Sequence, residues 1–347
     1  MGQETGERAR GRTPTGTPER RSPHRWRRTA LAALICAAVV LPLSAATRPD
    51  IPAPPPATLA PLTPATLDAA YRANREDAAR ASRMAEAHGD RSRAAADRTL
   101  AAPSRHLLQF DGRGAGEATE VLGDLTHADH IAVLVPGSDT SLDTYARFHS
   151  AASALYRRLL QEQPTAPRTA VAVVAWLGYR TPGTVSPSVL TAGRADQAAP
   201  HLREALRDLR RVAGDGPGIS LLCHSYGSVV CARAAAGLDA LGVTDLVLVG
   251  SPGTGAGSAA ALHTRARVWA GRGAGDWVGD VPHIRGRLLG FFGPTVGFGT
   301  DPVAPAFGAR VFAAGPGGHS DYFTPGSTSL TNLARIVLGD TKEVTHA

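Results

Sequence analysis

The chain of 347 residues is long enough for one large domain with appendages, and its 43% apolar share supports a sizeable core, while 38 Gly and 26 Pro imply many turns. Of the net charge of +7, residues 1–28 carry +5 (eight Arg against three Glu), which leaves the remainder near neutral, so no polyanion-binding surface is indicated and no nucleic-acid partner is expected. Lys342 is the lone lysine, so a Ser/Lys dyad would have to borrow it from the C-terminal tail.

Residues 22–46, SPHRWRRTALAALICAAVVLPLSAA, combine a positive stretch, an apolar run from Ala30 to Leu41, Pro42, and the small residues Ser44 and Ala46 before Thr47. This is the layout of an export signal, with cleavage expected after Ala46. The competing reading is an uncleaved anchor over residues 29–46, which would attach the protein to a membrane. On either reading residues 1–46 form a basic tail with a signal or anchor, and the bulk of the protein lies outside the cytoplasm. Cys36 sits inside the apolar run after Ala-Leu-Ile, a poor lipidation signal.

Residues 47–64, TRPDIPAPPPATLAPLTP, are expected to be an extended proline-rich linker. Residues 65–100, rich in Ala, Arg, Asp and Glu, suit a helical arm, packed on the domain or partly solvated because its apolar stripe is thin. From 101 to 347 apolar runs alternate with helical patterns. HLLQF (106–110) and ATEVLG (118–123) read as two short strands joined by a tight turn, suggesting an antiparallel edge. HIAVLVPG (130–137), TAVAVVAWLGY (169–179), GISLLCHS (218–225), TDLVLVGSPG (244–253), ARVWAG (266–271) and GARVFAAG (308–315) read as buried strands. Helices are expected over about 142–161, 194–212, 226–241 and 328–338. The alternation argues for an α/β fold with a mostly parallel central sheet and helices on both faces.

Cys223-His224-Ser225-Tyr226-Gly227 joins the strand ISLL to the helix SVVCARAAAGL. A serine hydroxyl is a weak nucleophile, and it needs exposure at a sharp turn beside a base and near oxyanion donors. A strand-to-helix elbow of the G-x-S-x-G kind supplies that geometry, with Cys223 standing where the first glycine is usual. The competing reading of Ser225 is an ordinary strand-end serine. Cys223 and Cys231 are expected to be two small buried thiols, since eight residues over a strand, a turn and a helix form an awkward span for a disulfide.

In this order of elements the acid follows a later strand and the base follows the last. Asp276, in the loop after ARVWAG, is the preferred acid because it lies near the strand end and Trp277 can shield it; Asp280 and Asp301 are the alternatives. His319, on the glycine-rich AAGPGGHSDYF between the last strand and last helix, is the expected base. His283 follows the acid too closely and His346 is in the tail, while His224 is expected to point away from the nucleophile and pack at the elbow. The backbone N–H groups of Tyr226 and Ser138, with Asp139 behind the latter, are the expected oxyanion donors. No metal or organic cofactor is called for: His127 and His130 are three apart without a third ligand.

The blocks HADHIAVLVPGSDTSLDTY, VVAWLGY, LLCHSYGS, VLVGSPG, AGDWVGDVP, DPVAPAFGARVF and GHSDYF resemble the actinobacterial-type α/β-hydrolase family known as a domain of unknown function, DUF1023. The likeness covers residues 65–340, in the same order, and departs at Cys223, where family members carry glycine. It implies an α/β-hydrolase fold and a serine hydrolase with Ser225, Asp276 and His319, and it names no substrate.

The leading functional expectation is an exported serine hydrolase of an ester or related acyl bond, acting on a small-molecule or lipid-like acyl substrate. The alternatives are an acyltransferase on the same triad and a catalytically silent, envelope-attached binding module. The stretches 181–193 and 277–306, the latter with Phe291, Phe292 and Phe298, are expected to border an apolar pocket suited to acyl chains.

Overall fold

Apart from Gly2, the computed structural model describes residues 51–163, 169–287 and 295–347. The expected signal or anchor, with Cys36, lies outside the described residues, as do Phe291 and Phe292. Among the described residues no helix is long and apolar enough to cross a membrane.

The proline-rich stretch starts the described chain without helix or strand, as its composition dictates. It is no free tether, however: Leu62 is buried and Leu59 packs against the same core cluster, because apolar residues recur between the prolines. The arm forms two helices, α1 (Leu67–His88) and α2 (Arg91–Leu100), parted at Gly89, whose φ of 93° ends the first. Its thin stripe is sufficient because small residues, Ala70, Ala78, Ala81 and Ala85, extend the buried face begun by Leu67 and Tyr71. Directed polar bonds complete the docking. Asn74 donates to the Leu107 carbonyl (2.9 Å), and buried Arg93 donates to Asp143 (2.8 Å) and the Gly112 carbonyl (3.0 Å).

Strands β1 (His106–Asp111) and β2 (Glu117–Gly123) form the expected antiparallel pair, and β2 continues antiparallel onto β4 (Val171–Leu177). With β3 (His130–Val135), β5 (Gly218–His224), β6 (Val243–Val249), β7 (Arg267–Gly271) and β10 (Arg310–Val311), they make one eight-stranded sheet in the order β1-β2-β4-β3-β5-β6-β7-β10. From β4 to β10 every neighbour is parallel. The continuous apolar runs follow from this position: all seven residues of β4 are buried, as a strand covered on both faces requires. Helices α3 (Tyr145–Glu162), α4 (Gly193–Ala213), α5 (Gly227–Ala234) and α6 (Thr328–Leu338) provide the cover, alongside a separate hairpin of β8 (Gly286–Arg287) and β9 (Thr295–Val296).

Three local expectations change. The helix expected to reach residue 241 ends at Ala234, and Gly237, in the left-handed region (φ 91°), admits a short 3-10 turn over Leu238–Leu241. The strand expected over 308–315 pairs with β7 only at Arg310 and Val311. The Phe312 N–H still donates to the Ala270 carbonyl of β7 (3.0 Å), and the C-terminal tail pairs along the other edge: Phe312 bridges to His346, and the Ala313 N–H donates to the Thr345 carbonyl (2.8 Å). The third concerns the cysteines. Cys223 and Cys231 are bonded as a disulfide, because the chain doubles back at the elbow and brings their Cα atoms to 6.4 Å despite the intervening turn. The bond ties the end of β5 to the second turn of α5, on either side of Ser225. Replacing both cysteines with Ala is therefore expected to cost about 2 kcal/mol of stability, read as a drop of several degrees in calorimetric Tm. An unchanged Tm would mean the cross-link does not hold the elbow.

Candidate active site

Each residue singled out in the sequence, Ser225, Asp276, His319, Ser138 and Tyr226, falls at or just beyond the C-terminal ends of the parallel strands, where ligands of such sheets bind. Ser225 follows β5, Ser138 follows β3, Asp276 follows β7, and His319 lies between β10 and α6. The parallel register sets these ends side by side, so Ser225 and His319, 94 positions apart, meet.

Ser225 sits at φ 54°, a left-handed conformation that non-glycine residues rarely adopt. The reason is local: β5 must end and α5 begin within two residues, with the Ser225 N–H donating to the Val249 carbonyl (2.9 Å) of β6. The helix also passes close over β3. A Cβ on Gly227 would come within 2.6 Å of the Val135 carbonyl oxygen, so glycine is required there. At Cys223 no such demand exists, since its side chain runs into the disulfide beneath α5. This accounts for the departure from the usual motif.

The Ser225 Oγ–H donates to His319 Nε2 at 2.9 Å, and His319 Nδ1–H donates to Asp276 Oδ1, also at 2.9 Å. Asp276 is buried and accepts two further bonds, from the Val278 N–H (2.9 Å) and from the Tyr322 hydroxyl in a very short contact with Oδ2. The Gly273 N–H in turn donates to the Tyr322 oxygen (3.1 Å). Burial would push the Asp276 carboxyl up, but the donors from His319, Tyr322 and Val278 outweigh it and hold the group at about 2. Asp276 is thus an anion at neutral pH with its position fixed from three sides.

The alternatives fall elsewhere. Asp280 is exposed, and Asp301 accepts from Arg272 (2.5 Å) and the Val303 N–H (3.1 Å). His283 approaches Asp301 at 3.8 Å, and His346 lies against the Val311 carbonyl (3.2 Å). Trp277 does not shield Asp276. It is half exposed and packs on the His319 ring, with centroids 4.8 Å apart.

One contact and one neighbour escaped the sequence reading. His224 does pack at the elbow, but its Nε2–H donates to the His319 carbonyl (2.7 Å), and its ring lies 4.8 Å from that of His319. Burial, followed by the neighbouring His319, holds His224 down to about 4, so it is neutral and acts as a fixed donor. Tyr322 is the neighbour. Its position three residues after His319 carries no signal by itself.

Across the site, the loop after β3 approaches so closely that a Cβ on Gly137 would lie 2.6 Å from Ser225 Cβ. Among the described residues the backbone N–H groups of Ser138 and Tyr226 donate to no protein acceptor, whereas that of Asp139 is committed to the Pro182 carbonyl (3.0 Å). The two free amides belong to the residues that follow Ser225 and Gly137 in the chain. A cavity of about 620 Å³ opens over Ser225 and His319, lined by Phe148, Val189, Leu190, Val281, Ile284 and Phe298 among others. The two stretches expected to border the pocket supply much of that wall. His127 Nδ1–H donates to Asp124 Oδ2 at 2.8 Å on the exposed surface.

The chain matches the model of the alpha/beta hydrolase family over residues 111–286. The uncharacterized protein Rv2079 of Mycobacterium tuberculosis is 33% identical over 247 residues, covering 65% of this chain and 37% of the relative, so the chain spans well under half of that relative's length. A carboxylesterase from Mesorhizobium loti superposes with a TM-score of 0.41 at 15% identity, covering 64% of this chain and 95% of that one. An alpha-beta serine hydrolase homologue from Coxiella burnetii superposes with a TM-score of 0.37 at 11% identity, covering 69% and 97%.

The ionisation of Asp276 has a thermodynamic signature. Its folded value lies below the ordinary 3.8, so the anion contributes stability above about pH 4 that is lost as pH falls towards about 2. Asp276→Asn removes that contribution. The Tm gap between wild type and variant is expected to be largest near neutrality and to narrow as pH falls through this window; a gap independent of pH would contradict the assignment.

Proposed function

The chain belongs to the alpha/beta hydrolase family, and on that premise we propose that it is a serine hydrolase cleaving an ester or related acyl bond. The observation that carries the reading is the contact of Ser225 Oγ with His319 Nε2 at 2.9 Å, made from a strained elbow and backed by a buried carboxylate. A catalytically silent module would have no use for a serine held in a costly conformation beside a base.

In this reading Ser225 Oγ attacks the acyl carbon while His319 Nε2 takes its proton, and Asp276 holds the Nδ1–H and stabilises the imidazolium. The negative charge on the former carbonyl oxygen is received by the N–H groups of Ser138 and Tyr226. His319 returns the proton to the leaving alkoxide, which departs as the alcohol. Water, deprotonated by the same nitrogen, then attacks the acyl-enzyme and releases the acid and the free serine.

Within the family we place the chain with the DUF1023 type, on the blocks that resemble it. We also read it as acting outside the cytoplasm, and the Cys223–Cys231 disulfide supports this, since such bonds persist in oxidising compartments. The apolar cavity favours acyl chains over sugars or peptides.

A fluorophosphonate probe is expected to label the wild type and to leave Ser225→Ala unlabelled; a folded wild type that resists labelling would contradict the proposal. Asp276→Asn is expected to lower kcat by roughly 10³ to 10⁴-fold, and Asp280→Asn to leave it within a few-fold. Equal losses in the two would displace Asp276 from its role. Across nitrophenyl esters of graded chain length, kcat/KM is expected to rise beyond acetyl, and hydrolysis confined to acetyl would argue against an acyl-chain pocket.

A further inference from the structure

Large apolar side chains exposed one at a time on a surface need no explanation, but a contiguous group does. Among the described residues seven are exposed, and five of them, Val185, Leu190, Trp277, Val281 and Ile284, lie on just two segments. Four of these five also line the mouth of the cavity over Ser225. The segments are bonded into one structure. The Gly297 N–H donates to the Leu190 carbonyl (2.9 Å) and the Gly299 N–H to the Ile284 carbonyl (3.3 Å), which joins the 3-10 turn at Pro187–Leu190 to Ile284 through residues 297–299. Trp277 stands on the third side, over His319, with half of its surface free. Leu190, Trp277, Val281 and Ile284 therefore belong both to the cavity wall and to the exposed rim.

The charges at the mouth differ in how firmly they are held. Asp139 lines it but accepts from the Thr184 N–H (3.1 Å), which fixes it to the loop. Arg147, in the first turn of α3, lines it, is exposed, and makes no hydrogen bond or ion pair with the described residues. Arg180, on the loop that leads to Thr184 and Val185, is likewise exposed and unpaired among the described residues. Asp280 is the one exposed carboxylate on the Trp277 turn. An apolar collar with a Trp at its edge and free guanidinium groups beside it matches a boundary between acyl chains and anionic headgroups. A soluble substrate needs the cavity but not the collar.

Resting on the hydrolase reading above, we propose that this collar docks on an anionic lipid surface, so that Ser225 meets acyl esters presented by a membrane. The rim inserts its apolar side chains among the acyl chains while Arg147 meets lipid phosphate. The ester then enters the cavity along the apolar side chains that rim and wall share, without crossing water.

Trp277 is its own reporter, because Trp176 and Trp269 are buried. In a full-length Trp26→Phe, Ser225→Ala chain, vesicles of brominated phosphatidylcholine with phosphatidylglycerol are expected to quench the exposed emission. Val185→Glu, on the rim but outside the cavity lining, is expected to weaken that vesicle response by roughly tenfold or more, with an unchanged melting curve showing that it folds. Reading the rim residue itself separates rim docking from any binding through residues 29–46. Emission insensitive to vesicles, quenching equally strong in Val185→Glu, or quenching equally strong without phosphatidylglycerol would each overturn the proposal. Because Ser225 is already replaced, the outcome is independent of catalysis: probe labelling of the wild type without vesicle quenching removes the docking alone, and quenching without labelling removes the hydrolase reading.

Discussion

The site depends on one backbone conformation. Ser225 is held at φ 54°, where a side chain other than glycine costs on the order of 1–3 kcal/mol. That cost is borne by the surroundings: β5 is hydrogen-bonded on both sides by parallel neighbours, and α5 is pressed so closely on β3 that only glycine fits at position 227. The disulfide between Cys223 and Cys231 adds a covalent clamp across the same turn. With strand and helix both fixed, the intervening serine has no alternative conformation that preserves either. Its hydroxyl is turned out to the sheet edge, where the loops after β3, β7 and β10 converge.

Electrostatic order follows from that convergence. Asp276 is buried, and a buried anion is tolerable only when donors surround it. The imidazole of His319, the phenol of Tyr322 and the amide of Val278 fill that requirement from three directions, and each thereby fixes the carboxylate for His319. His224 works on the far side of the imidazole. Being neutral, it adds no charge that would compete with a protonated His319, yet it pins the His319 backbone through the carbonyl. The base is thus held by its side chain from one direction and by its main chain from another.

Much of this arrangement is legible in the sequence because it is encoded locally. A buried strand reads as an unbroken apolar run, and the elbow reads as a strand run, a serine, a glycine two residues on, and a helix. The chain order of nucleophile, acid and base then points to Asp276 and His319 without reference to space. What the sequence withholds depends on distances between remote segments. Tyr322 is recognisable as a partner of Asp276 only once β7 and the last loop are side by side, and the pairing of the C-terminal tail with Phe312 and Ala313 joins segments more than 30 residues apart. Eight residues over a strand, a turn and a helix read in sequence as an awkward span for a disulfide. The elbow folds the chain back on itself, so eight residues of separation become 6.4 Å between Cα atoms.

The claim on which the account stands is that the Ser225 hydroxyl becomes covalently acylated through His319. Rapid-quench intact-mass analysis during turnover of an activated nitrophenyl ester tests this directly. The account predicts a nitrophenolate burst stoichiometric with enzyme and a transient acyl adduct on the peptide that contains Ser225. A linear time course with no adduct, or an adduct on another residue, would contradict it.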